Sequence, residues 1–395
     1  MANDQQDYLE ALRHFDIFDR EAQRKKWAMF EYARHEWPVV HTDAHGGMWL
    51  VTRYQDVRRV LEDWETFSST QVSIVPLPAE ISMCPLTTDP PVQAAARRLL
   101  NPLFSRSAVA PYESDMRQTA RILIDAVAEQ GRMEVLNQFS GPYVGTILTK
   151  IVFTDMDAEE LARAQHIALR IAEDATPEDF AALYEMCTSY LDRARKNGVQ
   201  GDGLLARLIN GEFEGELITP QHQVGILAIL VNGGLETTRA AIGSIVYHMT
   251  QDPGLEARLR DPQWVKRDLD EFLRLDSPVA GIARVATRDV DLGGVHIKAG
   301  ERVMVRFDSA NWDEEKFPNP AALVFDQPRG SHAAFGMGVH RCVGSNLARM
   351  QIEIAFEELL KRITKLRLAP GARPAWVAGN SNSLNSVEIE FDRVT

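Results

Sequence analysis

Residues Phe335 to Gly344 read FGMGVHRCVG. One cysteine, Cys342, stands among three glycines, a phenylalanine and a histidine, in a chain with only three cysteines. Gly336 and Gly338 permit a positive φ or a close approach of backbone to a flat partner, and Gly344 stands just before an expected helix. Amide N–H groups of such a loop and helix start can point at the sulfur and favour the thiolate. A thiolate so placed is a metal ligand or a nucleophile. On these residues alone three readings stand. The segment is a glycine-rich turn with a structural cysteine. Or His332, His340 and Cys342 approach zinc, although no fourth ligand stands at normal spacing. Or Cys342 is a nucleophile with His340 as its base, since residues two apart on an extended loop face one side.

A second group lies in Asn232 to Thr238, NGGLETT. The spacing predicts one helix from Thr219 to about Met249, with Thr219 as N-cap and Pro220 at the first helical position. Two glycines inside a helix cost about 1 kcal/mol each relative to alanine. Close approach to a cofactor or ligand offsets that cost, or tight helix packing does. An acid, Glu236, and a hydroxyl, Thr237, follow at once. A helical threonine usually bonds back to the carbonyl one turn earlier, here that of Gly233, in a stretch the glycines can distort. A third group, Glu271 and Arg274 at i and i+3, faces itself across one helix turn; alone such a pair contributes about 0.2–0.5 kcal/mol.

Phe335-x-x-Gly338-x-x-x-Cys342-x-Gly344 resembles the haem-thiolate signature of the cytochrome P450 superfamily, and His340 is similar to a common bacterial form of it. The resemblance implies a mainly α fold with a smaller β-rich part, a long central helix over haem b and the cysteine loop beneath. It implies that the Cys342 sulfur is the axial ligand of the haem iron. Phe335 would then cover the sulfur, and Gly336 and Gly344 would let the backbone pass the porphyrin edge. It implies that the glycine helix crosses the other haem face at Gly233, with Thr237 bonding the bound dioxygen and Glu236 relaying protons.

Haem propionates need cations or strong donors. By family position these are Arg97 in DPPVQAAARR, Arg284 in GIARVAT, and His340; Gln93 stands where many bacterial relatives carry a histidine and keeps a donor without the charge. Glu271 and Arg274 match the family's structural Glu-x-x-Arg element. The third cation that often precedes a later Phe-Asp pair is missing or comes from elsewhere, because Val324 precedes Phe325 and Asp326, and Trp312 in SANWDE stands where an arginine is usual. Leu86, Ile229, Asn232, Val279 and Ile282 match substrate-facing positions.

The elements that must carry these groups are legible in outline. EAQRKKWAMFEYARHE and YQDVRRVLED have helical spacing, and MWLVTRY between them alternates like a strand. Thr70 to Thr88 is Pro-rich, apolar and nearly uncharged: a long loop that wants burial, and loops of that length usually carry function. Pro91 to about Leu275 reads as mostly helix. It includes PYESDMRQTARILIDAVAEQG, closing on glycine, and TPEDFAALYEMCTSYLDRARKNG, with a Thr-Pro start and a glycine stop. After Pro278, β-branched alternation broken by Gly-Gly and Ala-Gly predicts short strands. A helix is expected from Gly344 to about Ile363. No repeat or linker divides residues 1–395, so one domain is expected.

The net charge of −13 argues against general binding of nucleic acid or anionic membrane. The longest apolar run, Val224 to Val231, falls far short of the ~20 residues that span a bilayer. Three scattered cysteines and an acidic, polar start fit a cytoplasmic protein. The resemblance implies monooxygenation with dioxygen and two electrons, by hydroxylation or O-dealkylation of a small, mostly apolar terpenoid or aromatic. No reductase module follows, so a separate iron–sulfur ferredoxin and its reductase are expected, docking near Arg341 and Arg97, on a monomer. A peroxide-driven peroxygenase, a haem-based sensor and a haem-free thiol enzyme are the alternatives.

Overall fold

The computed structural model describes residues 2–78, 80–153, 156–199, 201–213, 215–325 and 330–394. Helices dominate: α1 (Arg20–Glu36), α2 (Tyr54–Glu62), α3 (Val92–Leu103), α4 (Glu113–Ala128), α5 (Gly141–Ile151), α6 (Ala158–Glu173), α7 (Pro177–Asn197), α8 (Pro220–Gln251), α9 (Leu269–Asp276) and α10 (Ser345–Leu360), with a helix Ala2–Arg13 ahead of them and short ones between. Among the described residues no helix is long and apolar enough to cross a membrane.

The termini follow sequence chemistry. Thr176 and Asp179 form a reciprocal capping box at the start of α7, which stops at Gly198 with φ of 74°. Thr219 caps α8 by accepting from the N–H of His222. α8 is largely buried along its length and packs against α5, α6, α7 and α10. A helix apolar on most faces belongs inside a bundle, and this one is the axis of the molecule.

The β part begins with β1 (Val39–Thr42), β2 (Met48–Val51) and β3 (Phe67–Ser68). The strand in MWLVTRY ends at Val51 because Tyr54 already opens α2, its N–H held by Asp313 Oδ2 at 2.7 Å. A short β4 (Arg132–Glu134) and the hairpin β5 (Glu212–Phe213) and β6 (Glu216–Leu217) follow. Next come β7 (Gly281–Ala286), β8 (Val290–Leu292), β9 (Val295–Ile297) and β10 (Arg302–Arg306), then β11 (Ile363–Leu368) and β12 (Glu388–Arg393). One sheet has the order β1-β2-β10-β7-β3, with β2 and β10 parallel and the other pairs antiparallel. A second has the order β11-β12-β4. Helix α10 ends at Leu360 rather than near Ile363, since Ile363 is already paired with Arg393.

Two devices fix the frame of the site. Arg274 binds both carboxylate oxygens of Glu271 at 2.8 and 2.9 Å and donates to the carbonyls of Asn311, Pro320 and Ala322. Both side chains are buried, so the guanidinium fork gathers the chain after β10 onto α9. Glu271 also accepts from the N–H of Val324 at 2.8 Å. Beside Phe325 the cation is Arg258, 4.2 Å from the ring and bonded to Asp268; Asp326 lies outside the described residues. Trp312 stacks on Trp27 at 3.8 Å and donates to the Leu275 carbonyl.

The second device holds the segment from Thr70 to Thr88, which has neither helix nor strand among its described residues yet buries Val72, Ile74, Met83 and Cys84. Asp89 ties its base, accepting from Ser68 Oγ at 2.5 Å and Ser69 N at 2.9 Å. Arg302 donates to the carbonyls of Ser73 and Ile74, and the Tyr184 hydroxyl of α7 bonds the backbone of Ser82.

Candidate active site

The cysteine loop is shaped by its own backbone. Gly336 and Gly338 have φ of 66° and 64°, and the N–H groups of Gly336 and Cys342 bond the carbonyls of Ala333 and Phe335 at 2.8 Å. Gly344 has an ordinary φ of −82°. Positive φ explains two of the three glycines. Gly338 has a further constraint: a Cβ there would lie 2.4 Å from the Leu61 carbonyl oxygen. Its close neighbour is the end of α2, so at Gly338 a positive φ and a close backbone approach coincide.

Cys342 opens into a large cavity, and the N–H groups of Gly344 and Ser345 bond toward its sulfur. Burial raises the thiol pKa; the Gly344 N–H, Arg97 and Arg341 act against that. A metal ion at the sulfur would reverse the balance and leave the thiolate. Phe335 lines the same cavity and lies under the Arg349 guanidinium at 5.0 Å.

The base and zinc readings fail on geometry. His340 ends the short turn Gly338–His340, and its Nε2 bonds Ser69 Oγ at 2.9 Å rather than the Cys342 sulfur. Burial and the neighbouring Arg284 and Arg97 hold His340 down at about 3, so it is neutral. His332 is bonded to Asp270 at 3.0 Å. Among the described residues no group of three or more His, Cys, Asp or Glu could hold a metal ion.

Arg284 lies on β7 between β10 and β3, two residues from Ile282, so both share one face of the strand. Its Nη1 donates to the Ala283 carbonyl at 2.8 Å, while the buried Nη2 has no hydrogen-bond partner among the described residues. Burial pushes Arg284 down to about 10, opposed by Asp89. Arg97, on α3, also lines the cavity, its pKa lowered by burial. It is therefore a cavity residue, and of the two arginines expected at a docking face only Arg341 is exposed. Gln93 does not line the cavity: its amide donates to the Val339 carbonyl at 2.6 Å, and so braces the cysteine loop.

α8 forms another wall and remains regular helix through its glycines. The two glycines answer to different causes. A Cβ on Gly233 would meet only Ile229 at 4.0 Å, whereas one on Gly234 would meet the Leu148 side chain at 3.2 Å. Gly233 leaves space in the cavity; Gly234 serves packing against α5. Thr237 Oγ1 donates to the Gly233 carbonyl at 2.9 Å, as the helical spacing requires. Glu236 is buried and held by Arg239 Nη1 at 3.0 and 2.9 Å, with Ser383 also bonding it. Burial raises its pKa, and Arg239 acts against that. Arg239 went unnoticed in the sequence although it stands at i+3 from the acid; Ser69, Ser383 and Tyr184 left no local signal.

Leu86, Ile229, Asn232, Val279 and Ile282 all line this cavity. The cavity has a volume of about 350 Å³, within the ~300–1,000 Å³ of a ligand site. A soft sulfur donor, an open glycine face and a buried guanidinium with an unpaired N–H fit a flat, metal-bearing, anionic cofactor plus an organic ligand. Haem has those properties.

Comparison with known proteins agrees. The family model for Cytochrome P450 matches residues 264–371. Cytochrome P450 107B1 of Saccharopolyspora erythraea is 31% identical over 358 residues, covering 86% of this chain and 88% of that protein. The steroid C26-monooxygenase of Mycobacterium tuberculosis is 27% identical over 380 residues, 94% of each. The structure of cytochrome P450 CYP109Q5 from Chondromyces apiculatus superposes with a TM-score of 0.84 at 26% identity, covering 97% of this chain and 99% of that one. The chain belongs to the cytochrome P450 family of haem-dependent monooxygenases.

Proposed function

We propose that residues 1–395 form one haem b monooxygenase domain that hydroxylates or O-dealkylates a small, mostly apolar organic molecule. When bound, haem held by a thiolate supplies activation of dioxygen with two electrons and two protons, one oxygen atom entering the substrate and the other leaving as water.

The chain's own residues have separate tasks. Cys342 holds the iron, with the amides of Gly344 and Ser345 sharing the sulfur's charge. Arg284 and Arg97 receive the propionates. Neutral His340 offers one N–H and Gln93 holds the loop in place. Gly233 keeps the helix face open. Thr237 would turn its hydroxyl from the Gly233 carbonyl into the cavity, and Glu236 would hold the proton to be relayed. Leu86, Ile229, Val279 and Ile282 exclude water and orient the substrate.

The observation that carries this reading is the presence, in one cavity, of the Cys342 sulfur, the unpaired Nη2 of Arg284 and the Glu236-Thr237 pair. The pair favours dioxygen over hydrogen peroxide as oxidant, and catalysis over ligand sensing. The acidic chain, with exposed Arg341 beside the cysteine, suits a cytoplasmic monomer served by an iron–sulfur ferredoxin and its reductase. The test is turnover under isotopically labelled dioxygen with ferredoxin and reductase supplied. Label in the product is expected. In Thr237→Val, peroxide should rise at the expense of product while substrate binding is unchanged. Label-free product, or turnover with peroxide alone at the same rate in both proteins, contradicts the reading.

A further inference from the structure

We infer that the substrate is a neutral, largely hydrocarbon molecule bearing one hydrogen-bonding oxygen, a carbonyl or hydroxyl, received by the carboxamides of Asn232 and Asn380. This rests on the monooxygenase reading of the cavity.

Asn232 opens the glycine turn of α8 and lines the cavity, yet its carboxamide makes no hydrogen bond to any described residue. A helical amide that bonded within its own helix would be occupied; this one keeps two donors and an acceptor to offer. Glu236, one turn on and on the same face, differs: Arg239 and Ser383 satisfy it.

Asn380 is the second free carboxamide. Its backbone is fixed on both sides, the N–H donating to the Ala172 carbonyl and the carbonyl accepting from Ala280 N, each at 2.9 Å. Asn380 lines the cavity, and its carboxamide makes no hydrogen bond to any described residue. Ser383, three residues later, bonds Glu236 and so draws this loop against the α8 face that carries Asn232. Ile171, Phe180, Ile229 and Val279 make the surrounding wall apolar.

Charge excludes the main rival, a carboxylic acid. Among the described residues no lysine lines the cavity; Arg97 and Arg284 belong to the propionates, His340 is neutral, and Glu236 has Arg239. A hydrocarbon would leave the two carboxamides desolvated and unmatched, which disfavours it relative to its ketone.

The experiment uses the haem-loaded protein, checked first by the spectrum of its reduced, carbon-monoxide-bound form. Three skeletons are titrated by their shift of the ferric Soret band: menthane and menthone, decalin and decalone, androstane and androstanone, with the corresponding carboxylic acids. In at least one set the ketone should bind three- to ten-fold tighter than both the hydrocarbon and the acid. Asn232→Leu or Asn380→Leu should bring the ketone within two-fold of its hydrocarbon without weakening the hydrocarbon. A ketone preference that survives the double variant, no preference at all, tightest binding of an acid, or no binding by a protein with the thiolate spectrum each overturns the inference and leaves the haem reading intact. Absence of the thiolate spectrum overturns both.

Discussion

The carboxylate of Glu236 is held through both oxygens by Arg239, at 3.0 and 2.9 Å, one turn further along the same helix. The acid that would move protons is thus buried beside a cation that is only slightly exposed and reaches toward Asn137. Glu236→Gln should lower turnover about 10²-fold, the lower end for loss of a general acid–base group, with substrate binding unchanged. Arg239→Leu removes the cation that counters the desolvation of Glu236. Its carboxyl pKa, already raised, should rise further, and the pH profile of turnover should move up with it. A profile that stays in place shows that the ion pair does not set the protonation of Glu236.

Arg284 is buried with one N–H unpartnered, which is costly unless an anion joins it. Arg284→Met should speed transfer of haem to an acceptor apoprotein by about ten-fold or more, the range of a charge-assisted hydrogen bond. Arg284→Lys should recover part of the retention. Equal haem loss from all three proteins removes Arg284 from the cofactor site.

Behind the cavity wall at Phe307 and Ser381, Lys26 on α1, Arg306 on β10 and Asp308 form a fully buried cluster, with Lys26 also donating to Asn382 at 2.6 Å. Asp308→Ala leaves two buried cations without a counter-ion and should cost about 3–5 kcal/mol, read by denaturant unfolding. Burial lowers Lys26 to about 8 from its ordinary 10.5. Between those values the unfolded chain binds the proton and the folded one does not, so this group's contribution raises stability as pH rises through the window and is lost below it. Lys26→Met should flatten that slope; an unchanged slope assigns it to other groups.

The cysteine loop, the Glu236-Thr237 pair, the long helix and the Glu271–Arg274 lock were legible because each is local: a few residues with a fixed backbone period. What escaped was long-range. Gln93 was expected in the cofactor site, but its partner Val339 lies 246 residues away, and His340 turns to Ser69, 271 residues away. Gly338 has the positive φ its glycine allows, but the neighbour it approaches, the Leu61 carbonyl, left no local signal. Arg258 beside Phe325 could not be foreseen from Val324, since the cation arrives from another helix. The end of α10 was misplaced because Ile363 fits a helix as readily as a strand until its pairing with Arg393 is known.

The central claim is that the Cys342 sulfur binds haem iron. It is tested most directly by the absorption spectrum of the reduced, carbon-monoxide-bound protein beside that of Cys342→Ser. The account predicts the far-red-shifted Soret band of thiolate-ligated haem in the first protein and its loss in the second. A protein that takes up no haem, or a serine variant with the same band, contradicts it.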